Sequence, residues 1–149
     1  RLGCEYPTTM NYAQPLLSGS DYCLLHQGSI ANPHHLRRRL QRQGFSLSTD
    51  HDSQTIATFL QTQLAAQVPL NTALTQLSQL IDGFYTLVIG TPHGCQVLRD
   101  PLAGKSLLIA ETSDWIALAS QFAALSVLPN IEQANVWEPK PGQIIELLL

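Results

Sequence analysis

The chain has 149 residues, enough for one domain with a buried core, and 44% of them are hydrophobic while 13% are charged. Its net charge of −3 provides no basic field for a nucleic acid. No apolar run approaches the roughly 20 residues of a membrane helix, and no signal peptide is visible. The three cysteines are widely spaced and indicate reduced thiols. We therefore expect a cytoplasmic protein without nucleic-acid or membrane partners.

The first half of the chain is predicted to be mainly helical. Asn32 followed by Pro33 is typical of a helix start, and Gly44 of a helix end. Apolar residues at helical spacing predict two further helices. In chain order the predicted segments are an irregular stretch at 1–20, a buried strand at 21–26 that ends at a Gln27-Gly28 turn, and helices at 33–44, from about 52, and at 70–81.

The second half is predicted to consist of short strands. Asp82-Gly83 ends the third helix, and β-rich runs separated by turn residues follow it. Clustered helices followed by clustered antiparallel strands indicate an α+β fold. The predicted strands are a hairpin of 84–89 and 95–98, then 107–110, 115–119, 136–137 and 144–148, with a short helix or turn at 121–125.

The common catalytic and cofactor motifs are not found in the sequence, which has no G-x-S-x-G, P-loop, H-E-x-x-H or G-x-G-x-x-G. His34 and His35 would point about 100° apart on a helix, a poor metal pair. We expect no metal and no cofactor. His51 and Asp52 either serve acid–base chemistry or belong to a polar loop. The basic cluster indicates a solvated helix face in preference to a phosphate site, and consists of Arg37, Arg38, Arg39 and Arg42.

A series of short motifs resembles the class II, N-terminal-nucleophile glutamine amidotransferase domain. Residues 24–40, LLHQGSIANPHHLRRRL, resemble the stretch in which a strand runs into H-N-G, followed by Asn and a Leu-Arg helix. In its detailed sequence the chain most resembles the stand-alone amidotransferase-like subunits of glutamate synthase and N-methylglutamate synthase systems. The other matches follow in the family's order: Gly44-Phe45, Thr49 to Gln54, Asp82-Gly83-Phe84-Tyr85, Arg99 to Lys105, Ala119-Ser120-Gln121 and Pro141-Gly142-Gln143.

The resemblance implies one amidotransferase domain over residues 1–149, with the family's four-layer α/β/β/α sandwich of antiparallel sheets. Arg1 to Glu5, RLGCE, resembles an R-[MW]-[AG]-T segment that lies before the H-N-G strand. On this alignment the chain begins in mid-domain, and the nucleophilic cysteine and first strands lie upstream. We therefore expect these 149 residues to be inactive alone and, with an apolar sheet edge uncovered, prone to aggregate.

The family's chemistry implies roles for five residues. A cysteine thiolate attacks the side-chain amide of glutamine, and the oxyanion is stabilised by an Asn carboxamide and a Gly N–H. The matching residues are Gln27 and Gly28. Arg1 matches the arginine that holds the substrate α-carboxylate. Asp52 matches the acidic residue that pairs with the α-ammonium, and Asp50 is the second choice.

The implied function is hydrolysis of glutamine to glutamate, with the ammonia supplied to a synthase partner by the full-length protein. Several residues depart from the family pattern, and no cysteine matches the N-terminal nucleophile. An alternative is therefore a degenerate, non-catalytic module that binds a partner or an amino acid. A different N-terminal-nucleophile hydrolase would require the motifs to be coincidental. The departures are Gln27 for Asn, Gln54 and Gln121 for Glu, and Cys4 for Thr.

Overall fold

The computed structural model of the chain describes residues 13–18, 21–47 and 49–148. Helices and strands alternate in clusters along the chain, as expected for an α+β fold. The helices are α1 (Pro33–Arg42), α2 (Asp52–Ala65), α3 (Leu70–Leu80) and α4 (Phe122–Leu125). The strands are β1 (Leu16–Ser18), β2 (Tyr22–Ile30), β3 (Gly83–Thr91), β4 (Gly94–Arg99), β5 (Leu108–Glu111), β6 (Ile116–Ala119), β7 (Asn135–Trp137) and β8 (Ile144–Leu148).

Two antiparallel sheets form the middle of the molecule. The larger has the strand order β1-β2-β3-β4-β8, and the smaller has the order β6-β5-β7. Helices α1, α2 and α3 cover one face of the larger sheet, while its other face packs against the smaller sheet. The short helix α4 contacts β6. This arrangement confirms the predicted fold class of antiparallel sheets with helices packed outside them.

The two faces of the larger sheet bury two separate apolar cores, because successive side chains of a strand point to opposite faces. Between the helices and the sheet lie apolar residues that are almost completely buried, with the stripes of the three predicted helices all turned inward. This core includes Leu24, Leu36, Leu40, Ile56, Phe59, Leu74, Leu77, Leu87 and Leu98. Between the two sheets a smaller core consists of Val97, Leu107, Ile109 and Leu147.

The side chain of Asn32 joins the start of α1 to the end of α3. Asn32 precedes α1 as predicted, but among the described residues it makes no capping hydrogen bond to that helix. Its Oδ1 instead accepts from the backbone N–H of Asp82 at 2.8 Å, and its Nδ2 donates to the carbonyl of Leu80 at 3.1 Å. The N–H of Ala31 also donates to the carbonyl of Asp82 at 2.7 Å. The chain therefore leaves the sheet after β2 and re-enters it before β3 at neighbouring positions.

Two predictions about the first strands are wrong. Strand β2 does not end at Gln27-Gly28 but runs on to Ile30, with Gly28 paired to Tyr85. Glycine adopts a positive φ without leaving the ladder, so the turn-like sequence does not end the strand. Residues 16–18, predicted to be irregular, pair with β2 as β1. Within the described ranges, no helix is long and apolar enough to cross a membrane.

Candidate functional site

Gly28 lies in β2 with a backbone that only glycine fits. Its φ is +115°, a region that L side chains rarely adopt. A Cβ at this position would lie 1.9 Å from the carbonyl oxygen of Phe84 and 2.9 Å from the Cα of Tyr85. Both contacts are with the neighbouring backbone of β3, which cannot move aside without breaking the ladder. Both the positive φ and the lack of room for a Cβ therefore require glycine at position 28.

The backbone N–H groups around Gly28 face the outer edge of β2. The N–H of His26 donates to Oε1 of Gln14 at 2.9 Å, and the N–H of Ile30 donates to Oδ2 of Asp52 at 3.0 Å. Neither acceptor belongs to β3. In an antiparallel strand the N–H groups of alternate residues point to the same edge. The N–H of Gly28, which lies between these two, is therefore directed to the edge that Asp52 also occupies.

Helix α2 places Asp52 at this edge. Asp52 is the first residue of the helix, and its Oδ2 accepts the N–H of Ile30, two residues beyond Gly28 in β2. The next residue, Ser53, secures the helix to the same strand. Its Oγ lies 2.9 Å from Nδ1 of His26 and accepts from Nε2 of Gln14 at 3.1 Å. The carboxylate of Asp52 is therefore held against β2 by a polar cluster that the sequence did not predict.

Asp50, the second choice for the same role, lies elsewhere. Its side chain is 86% exposed and forms an ion pair with Arg37 at 3.3 Å. Arg37 also donates to the carbonyls of Leu47, at 3.0 Å, and Thr49. Arg37 is thus a loop-binding residue, a correction to the predicted solvated basic face, although Arg38, Arg39 and Arg42 are exposed as predicted.

Gln54 has a structural role at the loop before α2. Oε1 of Gln54 accepts from the N–H of Thr49 at 3.1 Å and from its hydroxyl, so the residue fastens the loop before α2. A carboxamide oxygen makes these two bonds as a carboxylate would. Gln121 is exposed at the start of α4. The paired His34 and His35 are exposed in the first turn of α1, as predicted.

Gln27 begins a row of polar side chains across the larger sheet. Gln27 pairs with Thr86 on β3, and Thr86 pairs with Arg99 on β4. All three belong to the face that packs against the smaller sheet, and Thr86 and Arg99 are each only 4% exposed. The guanidinium of Arg99 donates to Oε2 of Glu138 at 3.3 Å, to the carbonyl of Lys105 at 3.2 Å and to that of Pro139.

The segment Arg99-Asp100-Pro101 begins at the end of β4 and has a structural role beside this row of polar side chains. The carboxylate of Asp100 is fully buried and accepts the backbone N–H groups of Leu102, at 2.8 Å, and Gly104, at 3.1 Å. The neighbouring Tyr85 is also fully buried, and burial first, then the charges of Asp100 and Asp82, raises its pKa to about 12. Arg99 and Asp100 therefore brace the loops that close this end of the two sheets.

Neither Cys23 nor Cys95, the two cysteines among the described residues, lies near Gly28. Cys23 precedes Gln27 by four residues on the same strand, about 13 Å along it. Cys95 lies farther away on β4, and burial raises its pKa, with a smaller contribution from Cys23. Both are free, and both oppose Gly90, so their Cα atoms are about 10 Å apart, beyond the reach of a disulfide. Arg1, the remaining residue of the predicted site, and Cys4, the predicted departure from Thr, lie outside the described residues.

Comparisons with known proteins identify the domain. Residues 4–127 match the family described as a glutamine amidotransferase domain. The chain is 41% identical over 144 residues to the glutamine amidotransferase-like protein GlxB of Rhizobium meliloti, which covers 97% of this chain and 48% of that protein. It is 28% identical over 150 residues to the amidophosphoribosyltransferase of Methanothermobacter thermautotrophicus, covering 96% of this chain and 31% of that protein. The chain therefore spans half or less of the length of these relatives.

The fold agrees with solved structures of such enzymes. The glutamine phosphoribosylpyrophosphate amidotransferase from B. subtilis, complexed with ADP and GMP, aligns with a TM-score of 0.76 and 24% identity, over 93% of this chain and 30% of that one. A second structure, described as the allosteric regulatory enzyme of purine biosynthesis, aligns with a TM-score of 0.74 over 88% of this chain and 28% of that one. The resemblance of the motifs is confirmed, and the chain belongs to the class II glutamine amidotransferase domain family.

Proposed function

We propose that this domain binds glutamine at the outer edge of β2 and hydrolyses its side-chain amide, with the ammonia passing to a synthase partner. The observation that carries the proposal is the hydrogen bond from the N–H of Ile30 to Oδ2 of Asp52 at 3.0 Å. This bond fixes a carboxylate at the edge that the N–H of Gly28 also faces. A carboxylate and a donor on one edge match the two ends of glutamine.

Each residue of the proposed site has a defined task. Asp52 binds the α-ammonium of glutamine through a charge-assisted hydrogen bond, using Oδ1, while Oδ2 holds Ile30. Arg1 binds the α-carboxylate. The N–H of Gly28 and the carboxamide of Gln27 donate to the oxyanion that forms when a thiolate attacks the amide. Ammonia leaves as the thioester forms, and water then releases glutamate. The two free thiols of the described residues support a reducing, cytoplasmic setting.

Non-catalytic binding of an amino acid is the second candidate. It is favoured by the distance of Cys23 and Cys95 from Gly28, and by the presence of Gln27 where the family has Asn. A carboxamide displaced by one methylene moves its donor by up to about 1.5 Å, and misplacement on that scale can reduce rates by about 10²-fold. The same glutamine site would then report amino-acid availability to a partner without hydrolysis.

Glutamine binding by Asp52 can be measured by calorimetry on the chain with a matched pair of variants. Asp52→Asn keeps an oxygen that accepts the N–H of Ile30 but removes the charge that binds the ammonium. We expect it to weaken glutamine binding by about 10- to 100-fold, the value of a charged hydrogen bond. Asp50→Asn, two residues away and 86% exposed, is the control and should change the affinity by less than about twofold.

Equal effects of the two substitutions would contradict the assignment of Asp52, and a chain that binds no glutamine would contradict the proposed site. An ammonia-release assay on the full-length protein, since the 149 residues are expected to be inactive alone, separates the two candidate functions. Release of ammonia at the rate of glutamate formation supports hydrolysis. Binding without release supports the non-catalytic module.

A further inference from the structure

The register of the larger sheet places Thr86 beside Gln27. Gln27 and Thr86 are directly opposite each other on β2 and β3, with side chains on the same face. Cβ atoms of such cross-strand pairs are about 4.5–5.5 Å apart. A threonine hydroxyl reaches about one bond from its Cβ and a glutamine carboxamide about three, so one rotamer of Gln27 brings the two groups into hydrogen-bonding distance.

The hydroxyl of Thr86 needs such a partner. The side chain is 4% exposed, and its Oγ1 has no hydrogen-bond partner among the residues that the structure describes. A buried hydroxyl without a partner loses its hydrogen bonds to water and gains none in the protein. Such unpaired buried groups are rare in native proteins. Valine has nearly the same shape as threonine and would fill this position without a hydroxyl. A buried threonine at this position is therefore suited to a polar contact.

The neighbours of Thr86 in the row leave one direction for its proton. Arg99, its partner on β4, has only donors and cannot accept the hydroxyl proton. The two Nη atoms of Arg99 are moreover occupied by Glu138 and by the carbonyls of Lys105 and Pro139, and its Nε, buried without a partner among the described residues, can only donate. On the other side of Thr86, Gln27 carries a carboxamide oxygen. The acceptor in reach across the row is therefore Oε1 of Gln27.

We propose that Thr86 is the positioning residue for Gln27: its hydroxyl donates to Oε1 of Gln27 and thereby aims Nε2 of the carboxamide at the substrate oxyanion. The proposal rests on the proposed function for the destination of Nε2, but the hydrogen bond itself does not depend on it. It gives a physical reason why the longer glutamine can replace asparagine. The additional methylene is held by a second anchor on the next strand and does not leave the donor free to swing.

The test compares Thr86→Val, which keeps the shape and removes the hydroxyl, with Thr86→Ser, which keeps the hydroxyl. The first measurement is the side-chain amide resonance pair of Gln27 in ¹H–¹⁵N spectra of the chain, identified by its disappearance in Gln27→Ala. We expect Thr86→Val to move this pair toward the position of an unrestrained carboxamide, while Thr86→Ser leaves it near the wild-type position. If the pair stays unchanged in Thr86→Val while the rest of the spectrum remains folded, the hydrogen bond is disproved.

The second measurement is glutamine hydrolysis by the full-length protein, since the 149 residues are expected to be inactive alone. Thr86→Val should lower kcat about fivefold, the equilibrium constant of one neutral hydrogen bond, with KM within twofold, and Thr86→Ser should restore the rate. An unchanged kcat would refute the role in aiming Nε2 even if the resonances moved. If neither the wild type nor the variants hydrolyse glutamine, the proposed function fails, and the resonances of Gln27 still decide whether Thr86 holds the carboxamide.

Discussion

Replacing Gly28 by alanine tests whether the backbone at the proposed oxyanion site is as constrained as the structure indicates. The added Cβ would lie 1.9 Å from the carbonyl oxygen of Phe84, at a residue with a φ of +115°. A strained φ costs on the order of 1–3 kcal/mol, and an overpacked contact costs about 1–3 kcal/mol more. We therefore expect Gly28→Ala to lower the free energy of unfolding by about 2–6 kcal/mol. This is a large part of the roughly 5–15 kcal/mol of an ordinary domain.

Gly44→Ala is the matched control. Gly44 also has a positive φ, of +89°, but a Cβ added there would meet no atom within 4 Å among the described residues. Gly44→Ala should therefore lower the free energy of unfolding only by the cost of a left-handed backbone, about 1–2 kcal/mol. The difference between the two variants measures the collision with β3 alone.

The assay is equilibrium unfolding in urea, followed by circular dichroism, with the midpoint compared at constant slope. The result that would refute the reasoning is a Gly28→Ala variant that is no less stable than Gly44→Ala. Such a result would mean that β2 and β3 separate easily near Gly28. The site would then not be held rigidly enough to serve as a preformed oxyanion site.

Three further predictions concern the polar groups of the two sheets. Because the pKa of Tyr85 is raised to about 12, its contribution to stability is present below pH 10 and is lost as the pH rises toward 12; urea unfolding across this range should show the loss, and Tyr85→Phe should reduce it. Arg99→Lys should lower stability by about 2–4 kcal/mol, because lysine cannot bond Glu138 and the surrounding carbonyls together; a change below about 0.5 kcal/mol in urea unfolding would contradict this. The thiol of Cys95, whose pKa is raised by burial, should react with an aromatic disulfide at pH 8 more slowly than in unfolded protein; Cys95→Ser should remove that slow phase, and equal rates would refute the burial of the thiol.

The helices were predictable because their apolar spacing is local. Ile56 and Leu60 recur one turn apart in α2, and Leu74 and Leu77 in α3, so each stripe identifies its own buried face. The continuation of β2 past Gly28 was not predictable in this way. Gln-Gly has the composition of a turn, and only the pairing of Gly28 with Tyr85 keeps the chain in the sheet.

The arrangement of the candidate site residues could not be predicted from the sequence. Asp50 and Asp52 are two residues apart and have the same side chain, yet Asp50 forms an ion pair with Arg37 while Asp52 accepts the N–H of Ile30. That distinction depends on how α2 docks on β2, which no local pattern encodes. The place of Thr86 beside the site could not be predicted for the same reason, since it follows only from the register of two strands.

The closure of the helical segment by Asn32 has a consequence for how this family can diverge. Asn32 and Asp82 are 50 residues apart, and their hydrogen bond closes the segment that holds α1, α2 and α3 at the end of the paired strands β2 and β3. The entropy of closing a loop grows only slowly with its length. Insertions or deletions between the helices should therefore be tolerated without shifting the pairing of the two strands. The segment can vary in size, and with it the outer surface of the domain, while the pairing of β2 with β3 stays the same.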